Sequence, residues 1–159
     1  MSASSEMPAQ IGASQLVPGA VVAERKIALD QASFDAFAAL TGDAHPIHYD
    51  VDYARSRNLR APIAHGLLLT AVTALGATPL SAQLGSSMVA MLGTQARFIA
   101  PVFVGETVTV TFRVAGIEAK ANNRSIVDLD VDIAGENGNA CAQVRHRFML
   151  LTNLIEEAS

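Results

Sequence analysis

The stretch that most limits how this chain can fold is residues 67–77. Leu67, Leu68, Leu69, Ala71, Val72, Ala74, Leu75 and Ala77 make a helix that is apolar on almost every side. A helix without a polar face has to be buried all round. The small residues Ala71, Ala74, Gly76 and Ala77 allow a sheet to come close to its backbone. Pro79, which lacks an N–H and crowds the carbonyl four residues earlier, is expected to stop it. The rest of the chain must therefore wrap around this helix.

The wrapping material is β. Residues 88–98 read as a strand interrupted at Gly93, and residues 101–105 as a turn-rich connection. Val108, Val110, Phe112 and Val114 then alternate with Thr107, Thr109, Thr111 and Arg113, the period-two signature of a strand with one buried face. Ala121-Asn122-Asn123 suits a hairpin turn, after which Val127, Leu129, Val131 and Ile133 alternate with Asp128, Asp130 and Asp132. Glu136-Asn137-Gly138-Asn139 is a second hairpin signal before Ala142, Val144, His146, Phe148 and Leu150. Earlier in the chain, Pro18-Gly19 marks a turn and residues 20–29 a first strand. Asp30 can cap the helix that follows, with Phe34, Phe37, Ala38 and Leu40 expected on one face and Gly42 at its end. The expected class is α+β: a curved antiparallel sheet wrapped around a long apolar central helix.

At 159 residues the chain suits one domain, read as residues 17–151 between a flexible N-terminus (1–16) and a C-terminal tail (152–159). Half the residues are apolar and 16% are charged, which suits a protein that buries further surface in an oligomer. The net charge of −4, with no Lys/Arg block, argues against a nucleic-acid partner. One cysteine, Cys141, excludes an internal disulfide framework and a cysteine-based zinc cluster; it is expected to be buried and unreactive. The first twenty residues carry neither a basic n-region nor a continuous apolar run, and no stretch is apolar for long enough to cross a bilayer. The expectation is a cytoplasmic protein without a membrane partner.

Chemistry concentrates in Gly42-Asp43-Ala44-His45-Pro46-Ile47-His48 and Pro62-Ile63-Ala64-His65-Gly66, which hold three of the four histidines. Gly42 and Pro46 break regular structure, so Asp43 to His48 is expected as a rigidly bent loop, the kind of segment that aims functional side chains. Asp and His are the natural pair for moving protons near neutral pH. His65-Gly66 opens the apolar helix, where free N–H groups and the positive end of the helix dipole can face an anionic oxygen. Blander roles stand beside these: Asp43 as a turn cap, His65 as a structural helix cap, His146 as a core residue, and Asp128, Asp130 and Asp132 as a solvated face. Arg55, Arg57 and Arg60 form a solvated charged segment or hold ligand phosphates. A metal site from Asp43, His45, His48 and His65 is weakly supported by spacing on a Pro-bent loop, and none is expected.

These motifs resemble those of the MaoC-like (R)-specific enoyl-CoA hydratases, which have the hotdog fold. The family pattern is Gly-Asp-x-Asn-Pro-x-His, then a polar segment, then Pro-Ile-x-His-Gly, and the resemblance extends to the segment from Arg97 to Glu106. It implies reversible addition of water to a 2-enoyl-CoA, giving an (R)-3-hydroxyacyl-CoA, with Asp43 and His48 as the catalytic pair and the Gly66 N–H as donor to the thioester oxygen. It also implies a homodimer or higher homo-oligomer, and no cofactor beyond the coenzyme A of the substrate. His45, His65 and Pro62 are implied as supporting or substrate-positioning residues. The chain departs from the pattern at His45, where the family has Asn, and lacks the serine some members carry near Ala74, although Thr73 is adjacent. The alternatives are a hotdog thioesterase and a non-catalytic acyl-binding subunit of a hetero-oligomer.

Overall fold

The computed structural model describes residues 7–155. Five strands make one antiparallel sheet in the order β1-β3-β4-β5-β2: β1 is Val21–Ala28, β2 Met88–Phe98, β3 Thr107–Lys120, β4 Arg124–Gly135 and β5 Ala140–Leu151. The two hairpin signals lie where expected. Asn122 and Asn123 both take positive φ between β3 and β4, and Gly138 does so between β4 and β5. Asparagine and glycine tolerate that backbone best. Every ladder contains at least one register shift, two of them beside Gly93 and Gly116. Such bulges bend and twist a sheet, so this one can curl over its helices.

The alternation fixes which face is buried. Val108, Val110, Phe112 and Val114 of β3 point into the core with Val127, Leu129, Val131 and Ile133 of β4 and Ala142, Val144, Phe148 and Leu150 of β5. On the other face, Arg145 and Arg147 make two-point contacts with Asp130 and Asp128, and Gln143 bonds Asp132. The aspartates are a solvated face. Asp30 caps α1 (Gln31–Thr41) through Ser33 N–H, and Gly42 ends it in the left-handed region at φ 78°. Phe34 is fully buried beneath this helix, but Leu40 is 85% exposed, because it falls on the side away from Phe34.

Three expectations are corrected. The apolar stretch is not one long helix. It is α3 (Gly66–Ala71), a 3-10 turn (Leu75–Ala77) and then α4 (Pro79–Gln83), which follows a further short helix, α2 (Val51–Ser56). The break has side-chain causes: the Thr73 hydroxyl donates to the Thr70 carbonyl at 2.6 Å, and His146 Nε2 takes up the Thr73 carbonyl at 3.1 Å. Pro79, expected as a stop, occupies the first turn of α4, where its missing N–H costs nothing. Nor is the stretch buried all round, since Leu67 is 68% exposed.

The packed region also extends past the expected boundaries at both ends. Residues 7–16 belong to the segment expected to be flexible, yet Ala13 and Leu16 join Leu75, Leu80, Leu84, Phe148 and Leu150 in the core. Ile11 N–H donates to the Gln83 carbonyl at 2.9 Å and Ser14 N–H to that of Thr152 at 2.9 Å. Ile11 packs against the same cluster. Likewise Thr152 and Asn153, assigned to the tail, bond Asn123 and Ser14. The remaining residues of both terminal expectations, 1–6 and 156–159, lie outside the described residues.

Candidate active site

Two segments make the site. The first leaves α1 at Gly42. Asp43 N–H donates to the Thr41 hydroxyl, and an Asp43 carboxylate oxygen accepts from His45 N–H at 3.3 Å, so Asp43 does close a local turn. His45 then caps a 3-10 turn (Pro46–His48): its Nδ1 accepts from Ile47 N–H at 3.3 Å, and Pro46 supplies the preset first position. This turn delivers His48. The second segment runs along residues 102–104, where Ala64 N–H donates to the Val102 carbonyl at 2.7 Å and Val104 N–H to that of Pro62 at 3.0 Å. Pro62 is thus a tether, and the tethered segment leads straight into His65 and Gly66.

The structure brings Asp43, His48 and His65 together. A carboxylate oxygen and one nitrogen from each ring all lie within 4.8 Å of one another. His48 Nδ1 sits 2.7 Å from the Ile63 carbonyl, which can only accept, so Nδ1 carries the hydrogen and Nε2 keeps its lone pair. The His48 ring stacks on His65, with centroids 3.7 Å apart and 28° between planes. His65 is 2% exposed and occupies the N-cap position of α3, as expected of a structural cap, but its side chain makes no cap bond to the helix. Instead its Nε2 faces back, 3.2 Å from both the Asp43 carbonyl and the Tyr49 hydroxyl. Burial, and then the neighbouring His48, hold His65 below the usual histidine range. Burial and the Asp35 and Asp43 carboxylates raise the Tyr49 phenol.

Beside His48 and the N-terminus of α3 lies an apolar cleft of about 460 Å³, lined among others by Ile47, Leu59, Leu69, Phe98 and Ile99. The Phe98 ring rests against Gly66, where an added Cβ would come within 2.8 Å of it. Glycine at 66 therefore lets a ring and a helix N-terminus meet. Tyr49 and Phe98 escaped the sequence reading. Tyr49 is masked by the polar segment it opens, and Phe98 by the strand it ends.

Other marked residues are engaged elsewhere. Arg60 pairs with Glu106 and lies over the Phe103 ring at 3.9 Å, Arg57 lies over Tyr53 at 5.0 Å, and Arg55 is 3.9 Å from Asp52. His146 is a satisfied core histidine held by Thr73 and Thr94. Cys141 is buried, which pushes its thiol up and makes it a poor nucleophile.

Comparison with known proteins identifies the family. The pattern of the MaoC like domain matches residues 13–135. An (R)-specific enoyl-CoA hydratase from Aeromonas caviae is 38% identical over 82 residues, covering 52% of this chain and 59% of the relative. One from Rhodospirillum rubrum is 35% identical over 85 residues, covering 51% and 54%. The chain thus spans a little over half the length of these curated relatives. The solved structure of the (R)-hydratase from A. caviae involved in PHA biosynthesis superposes with a TM-score of 0.70 at 29% identity, over 84% of this chain and 96% of that one.

Proposed function

This chain belongs to the MaoC-like domain family, with its hotdog fold, and from that premise we propose that it adds water reversibly to a 2-enoyl-CoA, giving an (R)-3-hydroxyacyl-CoA. One observation carries the reading. The Ile63 carbonyl fixes His48 with a free Nε2 lone pair, and an Asp43 carboxylate oxygen lies within 4.8 Å of the ring, beside an apolar cleft that reaches Gly66.

The reaction needs three things: a base to take a proton from water, an acid to return a proton to C2, and a donor for the thioester oxygen as charge moves onto it. Asp43 and His48 hold one water between them and share the two proton transfers. As water oxygen bonds to C3, electrons shift through C2 to the thioester oxygen. The Gly66 N–H at the first turn of α3 faces that oxygen, and losing such a donor costs about 10²–10³ in rate. The acyl chain lies in the cleft under Phe98 and Ile99. At His45, which stands where the family pattern has Asn, the ring Nδ1 accepts from Ile47 N–H, so the turn that carries His48 is capped despite the departure.

The reading assigns no metal. Stacked rings aim their in-plane lone pairs side by side rather than at one point, so His48 and His65 are poorly arranged to share an ion at about 2.0–2.1 Å. It assigns a homodimer formed along the exposed edge of β2, with a cytoplasmic location. Among the described residues no helix is long and apolar enough to cross a membrane.

The test is loss of enoyl-thioester absorbance on short and medium 2-enoyl-CoA substrates, with chiral analysis of the product. Turnover to the (R)-product should fall by about 10²–10⁴ in Asp43→Asn and in His48→Ala. Hydrolysis of saturated acyl-CoA in place of hydration would favour the thioesterase instead, and a folded protein inert on every thioester would favour the acyl-binding subunit.

A further inference from the structure

His65 touches both members of the proposed pair, and its hydrogen bonds define its protonation. Tyr49 has one hydroxyl proton, given to the Phe34 carbonyl at 2.8 Å. Toward His65 the hydroxyl can therefore only accept, and so can the Asp43 carbonyl. Nε2 must carry the hydrogen and share it between two acceptors, each at 3.2 Å. Nδ1 is left as a lone-pair nitrogen, buried and without a partner among the described residues. Protonating it would create an N–H with no acceptor, in a ring packed by Phe37 at 4.7 Å and Phe34 at 5.9 Å. Such an unmet buried donor is costly.

Resting on the hydratase reading, we propose that His65 is a positioning residue: fixed in its neutral Nε2–H form, it clamps the Asp43 backbone and seats the His48 ring, so that the pair keeps its separation while His48 changes protonation. The titratable groups facing it are Asp43, His48 and Tyr49, and α1 adds the Phe34 and Phe37 rings. Two imidazolium rings stacked at 3.7 Å would repel. A neutral His65 leaves room for one positive charge in the stack, and that charge belongs to His48 when it acts as acid. A ring that merely filled space would not need its proton on one nitrogen.

Two measurements separate this role from plain packing. Nitrogen-15 spectra of the imidazoles in the wild-type protein, from about pH 5 to 8, should find His65 neutral with its hydrogen on Nε2 throughout. A ring that titrates in that range, or carries the hydrogen on Nδ1, overturns the proposal. His65→Phe keeps a flat ring and removes the N–H; with its melting temperature retained, kcat should drop on the order of 10²-fold with KM little changed, and the acid limb of the kcat–pH profile should move. Wild-type kcat and profile in that variant would also overturn it. Should His65→Phe fail to fold, Tyr49→Phe removes one acceptor only. There the His65 N–H signal should shift and kcat fall by a smaller factor, whereas an unchanged spectrum and kcat would sink the clamp. If wild-type protein turns over no 2-enoyl-CoA, the hydratase reading fails, while the wild-type His65 spectrum still decides the tautomer.

Discussion

At the scale of single residues, His45 is informative because its side chain holds the turn on which His48 sits. Its Nδ1 accepts from Ile47 N–H and caps the turn that presents His48. An asparagine oxygen can make the same bond, so His45→Asn should retain turnover of the same order. His45→Ala loses the cap, a change typically worth about 1 kcal/mol, and should lower kcat through His48 misplacement. Equal kcat in wild type and His45→Ala would dissociate the cap from activity. The buried histidines set a second expectation. Burial holds both His65 and His146 below the ordinary value of 6.5, so in the unfolded chain they bind protons that the folded chain refuses. Their contribution is fully present above the unfolded value and is lost as pH falls through the lower folded values. Urea unfolding should thus report lower stability at roughly pH 5.5 than at 7.5, and His146→Gln should flatten that slope; a slope unchanged in the variant would remove His146 from the account. The cluster of Asp43, His45 and His48 was legible because Gly42 and Pro46 punctuate it and Asp and His have few other reasons to cluster. Tyr49 was not, because its role depends on the Phe34 carbonyl, which only the fold brings near.

At the scale of elements, strands were readable and the central helix only partly so. Period-two alternation in residues 107–114, 127–133 and 142–150 survives as buried faces of β3, β4 and β5 because each strand has one neighbour on either side and one face on the core. The stretch 67–77 offered only uniform hydrophobicity, which sets burial but not continuity. Its break depends on Thr73 and on His146, which lies 73 residues further along. The N-terminal segment escaped for a related reason: its Ser, Ala and Gln content suggests a frayed end, and its partners Leu80, Leu84 and Leu150 lie far along the chain. Packing there is specific, since a Cβ at Gly12 would meet the Thr152 carbonyl oxygen at 2.5 Å. Leu16→Ala should therefore cost about 2–5 kcal/mol in denaturant unfolding. A value within experimental error of zero would return residues 7–16 to the flexible class.

At the scale of the whole molecule, the sheet has two edges and only one is apolar over its length. β2 pairs with β5 on one side and leaves the other open, with Val89, Met91, Leu92 and Phe98 exposed along it and Ile99 just beyond. An eleven-residue open edge with this composition invites pairing, and proteins protect such edges with charge, proline or a partner. Here Arg97 is the only charged side chain on the strand and proline is absent from it. Antiparallel pairing of β2 with its copy would extend the sheet to ten strands and bring the start of one β2 toward the Phe98 end of the other, beside the apolar cleft. A stable contact buries on the order of 1,600 Å², more than one strand edge supplies, so exposed Leu67 and the surroundings of the cleft should also be covered. Light scattering at micromolar concentration should give twice the chain mass for wild type. Met91→Lys combined with Leu92→Lys should shift that mass toward the monomer and, on the proposed hydratase reading, lower turnover, because a cleft covered by the partner would then lose one wall. A dimer that survives both lysines would place the interface elsewhere, and a wild-type monomer with full activity would mean that each chain completes its own site.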